Sequence, residues 1–220
     1  MRRIWIAAIA VLILLAGFGL LRSRRLARES GGGLFDRHRV VNVEIELAEN
    51  DWTTLRTQHP VFGKALNGEQ PPRAYTYFPG FIAIDGSRFG PVGIRKKGFL
   101  GSDSVQRPSL KVDFREYEKG VEFGGATRLT LNNNQQDPSS LQQLLSYHQF
   151  RKAGVPAPRC NLATVTVNGR YLGLYSNVEP IKKPFLRRYF EDEDGSLYEG
   201  HRSDFREGFV GSFESKSGPV

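Results

Sequence analysis

The stretch VVNVEIELAE alternates apolar and polar residues, which places Val41, Val43, Ile45 and Leu47 on one face. A period of two predicts a half-buried strand. ENDWTTLRTQ breaks that period and predicts a short helix, with Asn50 or Asp51 as its cap and Trp52 and Leu55 facing inward. Residues 61–77 contain the breaker NGEQPPR and predict a loop. FPGFIAIDGSRFG predicts a strand, a turn at Asp85-Gly86 and a return strand that continues through PVGIRKKGFLGS. PSLKVDFRE predicts a third strand with Leu110, Val112 and Phe114 on one face, and ATRLTLNNN a fourth.

The next stretch, QQDPSSLQQLLSYHQFRKAGVPAPR, predicts a helix over 139–153. Asp137 suits the N-cap, because its carboxylate accepts from free N–H groups, and Pro138 suits the first helical position. Leu141, Leu144, Leu145 and Tyr147 form an apolar face with Phe150 at its edge, and Gly154 ends the helix before two prolines. CNLATVTVNGRYLGLYSNVE predicts a hairpin around Asn168-Gly169, KKPFLRRYF a short basic helix, and EDEDGSLYEG closes the recognisable part. Antiparallel strands with one main packed helix predict an α+β domain.

Composition changes this picture mainly at the N-terminus. The chain has 220 residues, 39% of them hydrophobic and 25% charged, with a formal net charge of +8. Residues 1–30 hold six arginines against Glu29. The remainder is only mildly basic, so nucleic acid is not an expected partner. Ile4–Leu21 contains no charged residue, and roughly 17–20 apolar residues suffice for one helical span. The expectation is a single transmembrane signal anchor in residues 1–30, a linker over 31–39, a domain over 40–200 and a tail over 201–220. The alternative is a cleaved signal peptide. Arginines flank both ends of the apolar run, so charge alone does not orient it.

Little classical active-site chemistry is legible. His38, His59, His148 and His201 lack zinc-like spacing, EDEDG lacks the ordered oxygens of a calcium loop, and no metal site is expected. Cys160 reads as a small buried residue rather than a reactive thiol. KKGFLGSDS offers Lys97, Gly98, Gly101 and Ser102 as a phosphate-proximal turn, although glycines beside basic residues also make an ordinary β-turn. Lys111, between inward-facing Leu110 and Val112, lies on the opposite face of its strand. From the residues alone it reads equally as a phosphate-binding or a solvated lysine.

LTLNNNQQDPSSL…SYHQFRKAGVPAPR, GIRKKGFLGS with SLKVDF, VNGRYLGLYSNVEPIKKPFLRRYF and DGSLYEG together resemble the CotH kinase family, named for spore coat protein H. The resemblance runs from about residue 40 to 200. It implies an antiparallel, β-rich, atypical-kinase-like first lobe, with ATP and Mg²⁺ or Mn²⁺ as cofactors and a protein substrate or an envelope or coat protein as partner. It implies that Lys111 contacts phosphates and that Val178 and Glu179 form a hinge for adenine. It also implies that Gln143 stands where a lysine-pairing glutamate belongs. Together with the export-like N-terminus it leads to the expectation of an extracytoplasmic domain, held at the membrane through the apolar residues 4–21.

The family's catalytic aspartates belong to a second lobe and are not found in this chain, so the catalytic residues are unassigned. HRSDFREGF, with Asp204, resembles kinase motifs only by coincidence. The expected function is ATP-dependent phosphoryl transfer to protein, incomplete or inactive in this chain. The alternative is a non-catalytic envelope-binding or structural module.

Overall fold

The structure is a computed structural model that describes residues 33–59, 75–98, 102–192, 194–201 and 212–217. Seven strands close into a barrel: β1 (Val40–Leu47), β2 (Phe78–Ile84), β3 (Ser87–Lys97), β4 (Ser109–Asp113), β5 (Arg128–Asn132), β6 (Cys160–Val167) and β7 (Arg170–Val178). The order around the barrel is β1-β2-β3-β4-β5-β7-β6. All neighbours are antiparallel except β1 and β6, which run parallel and close the ring, with Val43 opposite Val165. A separate two-stranded ribbon joins β8 (Leu197–His201) to β9 (Ser212–Ser217). Among the described residues the helices are α1 (Glu49–Thr57), α2 (Gln142–Lys152) and α3 (Lys183–Tyr189).

This architecture corrects the expected α+β first lobe with one main packed helix. The sheet is a closed barrel, and closure removes the edge strands that an open sheet would have to cover. α2 contains no buried residue. Leu141, just before it, and Leu145 and Phe150 within it are exposed, whereas Leu144 and Tyr147 are half-buried.

The inward residues follow the predicted period of two. Val43, Ile45, Ile82, Ile84, Val92, Ile94, Leu110, Val112, Leu129, Leu131, Ala163 and Val165 fill the barrel. Leu34 and Phe35 precede β1, Trp52 and Leu55 follow it, and all four join the same core. The segment expected as a linker over 31–39 therefore contributes buried side chains. Asn161 Nδ2 donates to Leu34 O at 3.2 Å and Asp36 O at 3.0 Å, and Asn177 Nδ2 donates to Leu34 O at 3.0 Å, fastening that segment to the barrel.

Local turn chemistry sets the hairpins. Asp85 and Gly86, like Asn168 and Gly169, both have positive φ, as a two-residue turn matched to strand twist requires. At the helix starts the expectations shift. The cap of α1 is Ala48 rather than Asn50 or Asp51. α2 begins at Gln142, because Ser140 takes a left-handed φ of 57° and interrupts the chain. Asp137 still serves the helix from outside it. One carboxylate oxygen accepts from Gln142 N at 2.8 Å and the other from Ser139 N at 3.1 Å. Asp137→Ala is expected to lower stability by about 1–2 kcal/mol, as cap losses do. A urea denaturation midpoint that does not move would contradict this role.

The expected span Ile4–Leu21 lies outside the described residues. Among the described residues no helix is long and apolar enough to cross a membrane. The longest, α2, has 11 residues, about half the roughly 20 that a bilayer requires. The expectation of a single-pass membrane protein is corrected to that extent: no described helix provides the span.

Candidate functional site

The outer faces of β3, β4, β5 and β7 carry one continuous cross-strand row. Arg95 pairs with Lys111, Lys111 with Thr130, and Thr130 with Val178. Directly opposed residues of antiparallel neighbours share a face, so this row is a strip of the barrel's outer surface. Leu110 and Val112 point into the core and leave Lys111 half-buried on the outside. Lys97, the last residue of β3, reaches across to β5, where its Nζ donates to Asn132 Oδ1 at 2.5 Å. Asn132 Nδ2 donates to Gln143 Oε1 at 2.7 Å, and Gln143 Nε2 to the Tyr147 hydroxyl at 3.3 Å.

Positive charge is concentrated on this face. Burial lowers the pKa of Lys97 to about 8, helped by the nearby charges of Lys111 and Arg95. Lys111 also falls to about 8, first through burial, then through Arg95, Arg128 and Lys182, with Glu199 acting in the opposite sense. Two lysines whose charged forms are disfavoured make a face that gains from an anion: bound phosphate oxygens would favour the charged forms.

The same shifts predict a stability change with pH. A lysine whose folded pKa lies near 8, below its ordinary 10.5, loses its proton in the folded state first. Above pH 8 the unfolded chain then binds more protons, so stability rises with pH. Cys160 opposes this from pH 9, because burial pushes its thiol from 9.0 up to about 12. A rise in denaturation midpoint between pH 8 and 9 is therefore expected in the wild type and should vanish in Lys97→Met/Lys111→Met. A flat profile in the wild type would contradict it.

The other expected site residues are placed as follows. Gly98 has φ 140°, and a Cβ there would lie 2.9 Å from Ser102 O, so glycine permits the chain to close on itself. The Tyr75 hydroxyl donates to Gly98 O at 2.8 Å, and Asn133 Nδ2 donates to Ser102 O at 3.1 Å. Gly101 and Asp204 lie outside the described residues. Val178 is buried, as are Cys160, Phe185 and Leu186 on the barrel's exterior. Glu179 is also buried. Burial would raise its carboxyl pKa, but Arg188 and Arg159 overcome that and hold it below the usual carboxylate range. Arg159 donates to it through its backbone N and Nη2, both at 3.0 Å, and Arg188 also pairs with it. The Glu179 backbone N–H is taken by Arg159 O at 2.9 Å.

A cavity of about 10 Å³ beside Glu179, lined by Phe35, Arg128, Arg159 and Lys182, is about the size of one water molecule. Ligand pockets are on the order of 300–1,000 Å³, so a nucleotide base would need a further wall beyond this cavity.

Two important residues were not singled out from the sequence. Asn132 joins Lys97 to α2, and strand parity points to it, since Leu129 and Leu131 face inward. Lys96 is fully buried, donates to Arg56 O at 2.9 Å and Gln58 O at 2.8 Å, and lies 2.6 Å from Asp103 Oδ1. His59 Nδ1 lies 2.6 Å from the other Asp103 oxygen.

Residues 94–217 match the family described as CotH kinase protein. The chain is 40% identical over 100 residues to an inner spore coat protein H-like protein of Bacillus subtilis (strain 168), a match covering 42% of this chain and 33% of that protein. It is 28% identical over 105 residues to inner spore coat protein H of the same organism, covering 45% of this chain and 29% of the relative. These matches therefore span about a third of the length of the curated relatives.

Proposed function

The chain belongs to the CotH kinase protein family, and on that premise we propose that it takes part in ATP-dependent phosphoryl transfer to a protein acceptor of the coat type. The observation that carries the reading is the Lys97–Lys111–Arg95 face. Phosphoryl transfer has little covalent chemistry for a protein to supply; it rests on positioning phosphates and neutralising charge. Three cations on one rigid sheet surface, two of them lysines with lowered pKa, suit that task. Lys97 and Lys111 would hold the phosphate chain, and the Asn132–Gln143 contact would set the position of α2 over it.

ATP would supply the transferred group, and its phosphates fit this face. Mg²⁺ or Mn²⁺ is a different matter. Among the described residues no group of three or more His, Cys, Asp or Glu could hold a metal. The described residues would supply binding and orientation, and a Mg²⁺ or Mn²⁺ carried by ATP would be held mainly through its phosphates and one or two protein oxygens.

The test is equilibrium dialysis of the full chain with labelled ATP, with and without Mg²⁺, beside AMP and adenosine. Binding that grows with phosphate number supports the reading. No ATP binding, together with capture of a purified coat protein that nucleotide leaves unchanged, would favour a non-catalytic coat-binding module.

A further inference from the structure

Asn132 ends β5 with its two amide atoms committed in opposite directions. Oδ1 accepts from Lys97 Nζ at 2.5 Å, and Nδ2 donates to Gln143 Oε1 at 2.7 Å. One side chain thereby links β3, β5 and α2. The polarity of this link favours an amide. A carboxylate would accept from the ammonium but has no hydrogen to offer the Gln143 carbonyl, and an apolar side chain would satisfy neither. The link is also neutral throughout, from Asn132 to Gln143 and on to the Tyr147 hydroxyl.

We propose that Asn132 is a positioning residue: it fixes the Lys97 ammonium relative to α2 through a neutral bridge, so that the charge of Lys97 remains free to meet an anionic phosphate chain. The significance of the bridge rests on reading this face as a phosphate site, but its existence does not.

The groups that act on Lys97 agree with this. Arg95 lies on its own strand and Lys111 on β4, and both repel the ammonium. Asn132 on β5 and Gln143 on α2 contribute dipoles only. A direct carboxylate partner would hold the lysine in an ion pair that an incoming phosphate must break. The amide bridge orients the ammonium with a charge-assisted hydrogen bond and leaves its net charge uncancelled.

The test uses the full chain labelled with ¹³C and ¹⁵N at lysine and asparagine, and follows the Lys97 side-chain resonances through pH. In Asn132→Asp the Lys97 titration midpoint should rise from about 8 by about one unit or more, because an opposite charge within contact favours the ammonium. ATP affinity should fall at the same time. A merely structural disruption would weaken binding without raising the midpoint. An unmoved midpoint in a folded Asn132→Asp would overturn the proposal. Gln143→Glu keeps the acceptor for Asn132 and should raise the midpoint by a smaller amount; no rise there would also count against it. In the wild type, the Asn132 side-chain amide resonance should shift with the Lys97 midpoint, and a resonance that stays still would refute the bridge even if neither variant folds. ATP titration of the wild type keeps the two ideas apart. A midpoint that moves in Asn132→Asp without wild-type ATP binding supports the bridge and removes the nucleotide reading. ATP binding with an unmoved midpoint does the reverse.

Discussion

Lys96→Met is expected to lower the stability of the domain by about 3–5 kcal/mol, the cost of breaking a buried ion pair by removing one partner. The Lys96 side chain has 0% exposure, and its ammonium holds three partners at once: Arg56 O, Gln58 O and Asp103. Methionine fills a similar volume but satisfies none of them. Two carbonyls at the C-terminal end of α1 would lose their donor, and Asp103 would lose the cation that offsets its burial. Burial would raise the Asp103 pKa, but hydrogen bonds from Lys96 and His59 hold it below the ordinary value. Its contribution to stability is therefore present above the unfolded carboxylate pKa and lost as pH falls through the folded one. The predicted signature is a large drop in urea midpoint at neutral pH that narrows in acid. A variant within 1 kcal/mol of the wild type would show that the pair merely breaks even against its desolvation.

Nothing local in the sequence marks Lys96 as buried. Arg95, Lys96 and Lys97 look like one basic surface run. The strand's period of two separates them: Lys96 follows Val92 and Ile94 into the interior, while Arg95 and Lys97 face out. The Arg56 and Gln58 carbonyls at the C-terminal end of α1 and the Asp103 carboxylate make a buried lysine tolerable there, and none of them belongs to β3. The hairpins, in contrast, were legible because Asp85-Gly86 and Asn168-Gly169 encode their turns in two residues.

Barrel closure was hidden for the opposite reason. The parallel pairing of β1 with β6 joins Asn42 to Thr164, 122 residues apart, and no local pattern marks which strand accepts which. The helix is shorter than the 139–153 that its sequence predicts, because the Asp137 cap acts across an intervening left-handed serine. Its apolar residues read as a core face, although the barrel fills its interior without them. In the candidate site, the outward position of Lys111 follows from strand parity, whereas its neighbourhood with Lys97 and Arg128 depends on the register of separate strands, and that with Lys182 on the turn before α3.

Replacing both outward lysines, Lys97→Met/Lys111→Met, is expected to weaken ATP binding by about 100-fold or more. Hydrogen bonds to charged groups contribute roughly 1.5–3 kcal/mol each, and each 1.4 kcal/mol is tenfold in affinity. The fold should not suffer in proportion. Both lysines have pKa values pulled down to about 8 by burial and by neighbouring cations, so their charged forms are disfavoured in the folded protein. Two uncharged side chains of similar length relieve that repulsion, although Asn132 loses its donor. Affinity and stability should thus separate, as expected where local strain serves binding. The most direct measurement is calorimetric titration of the wild-type full chain and this double variant with ATP at pH 7, with urea denaturation of the same samples. The account predicts measurable binding by the wild type, about 100-fold weaker binding by the double variant, and a denaturation midpoint close to that of the wild type. Equal ATP affinity in the two proteins, or no binding by the wild type, would contradict it.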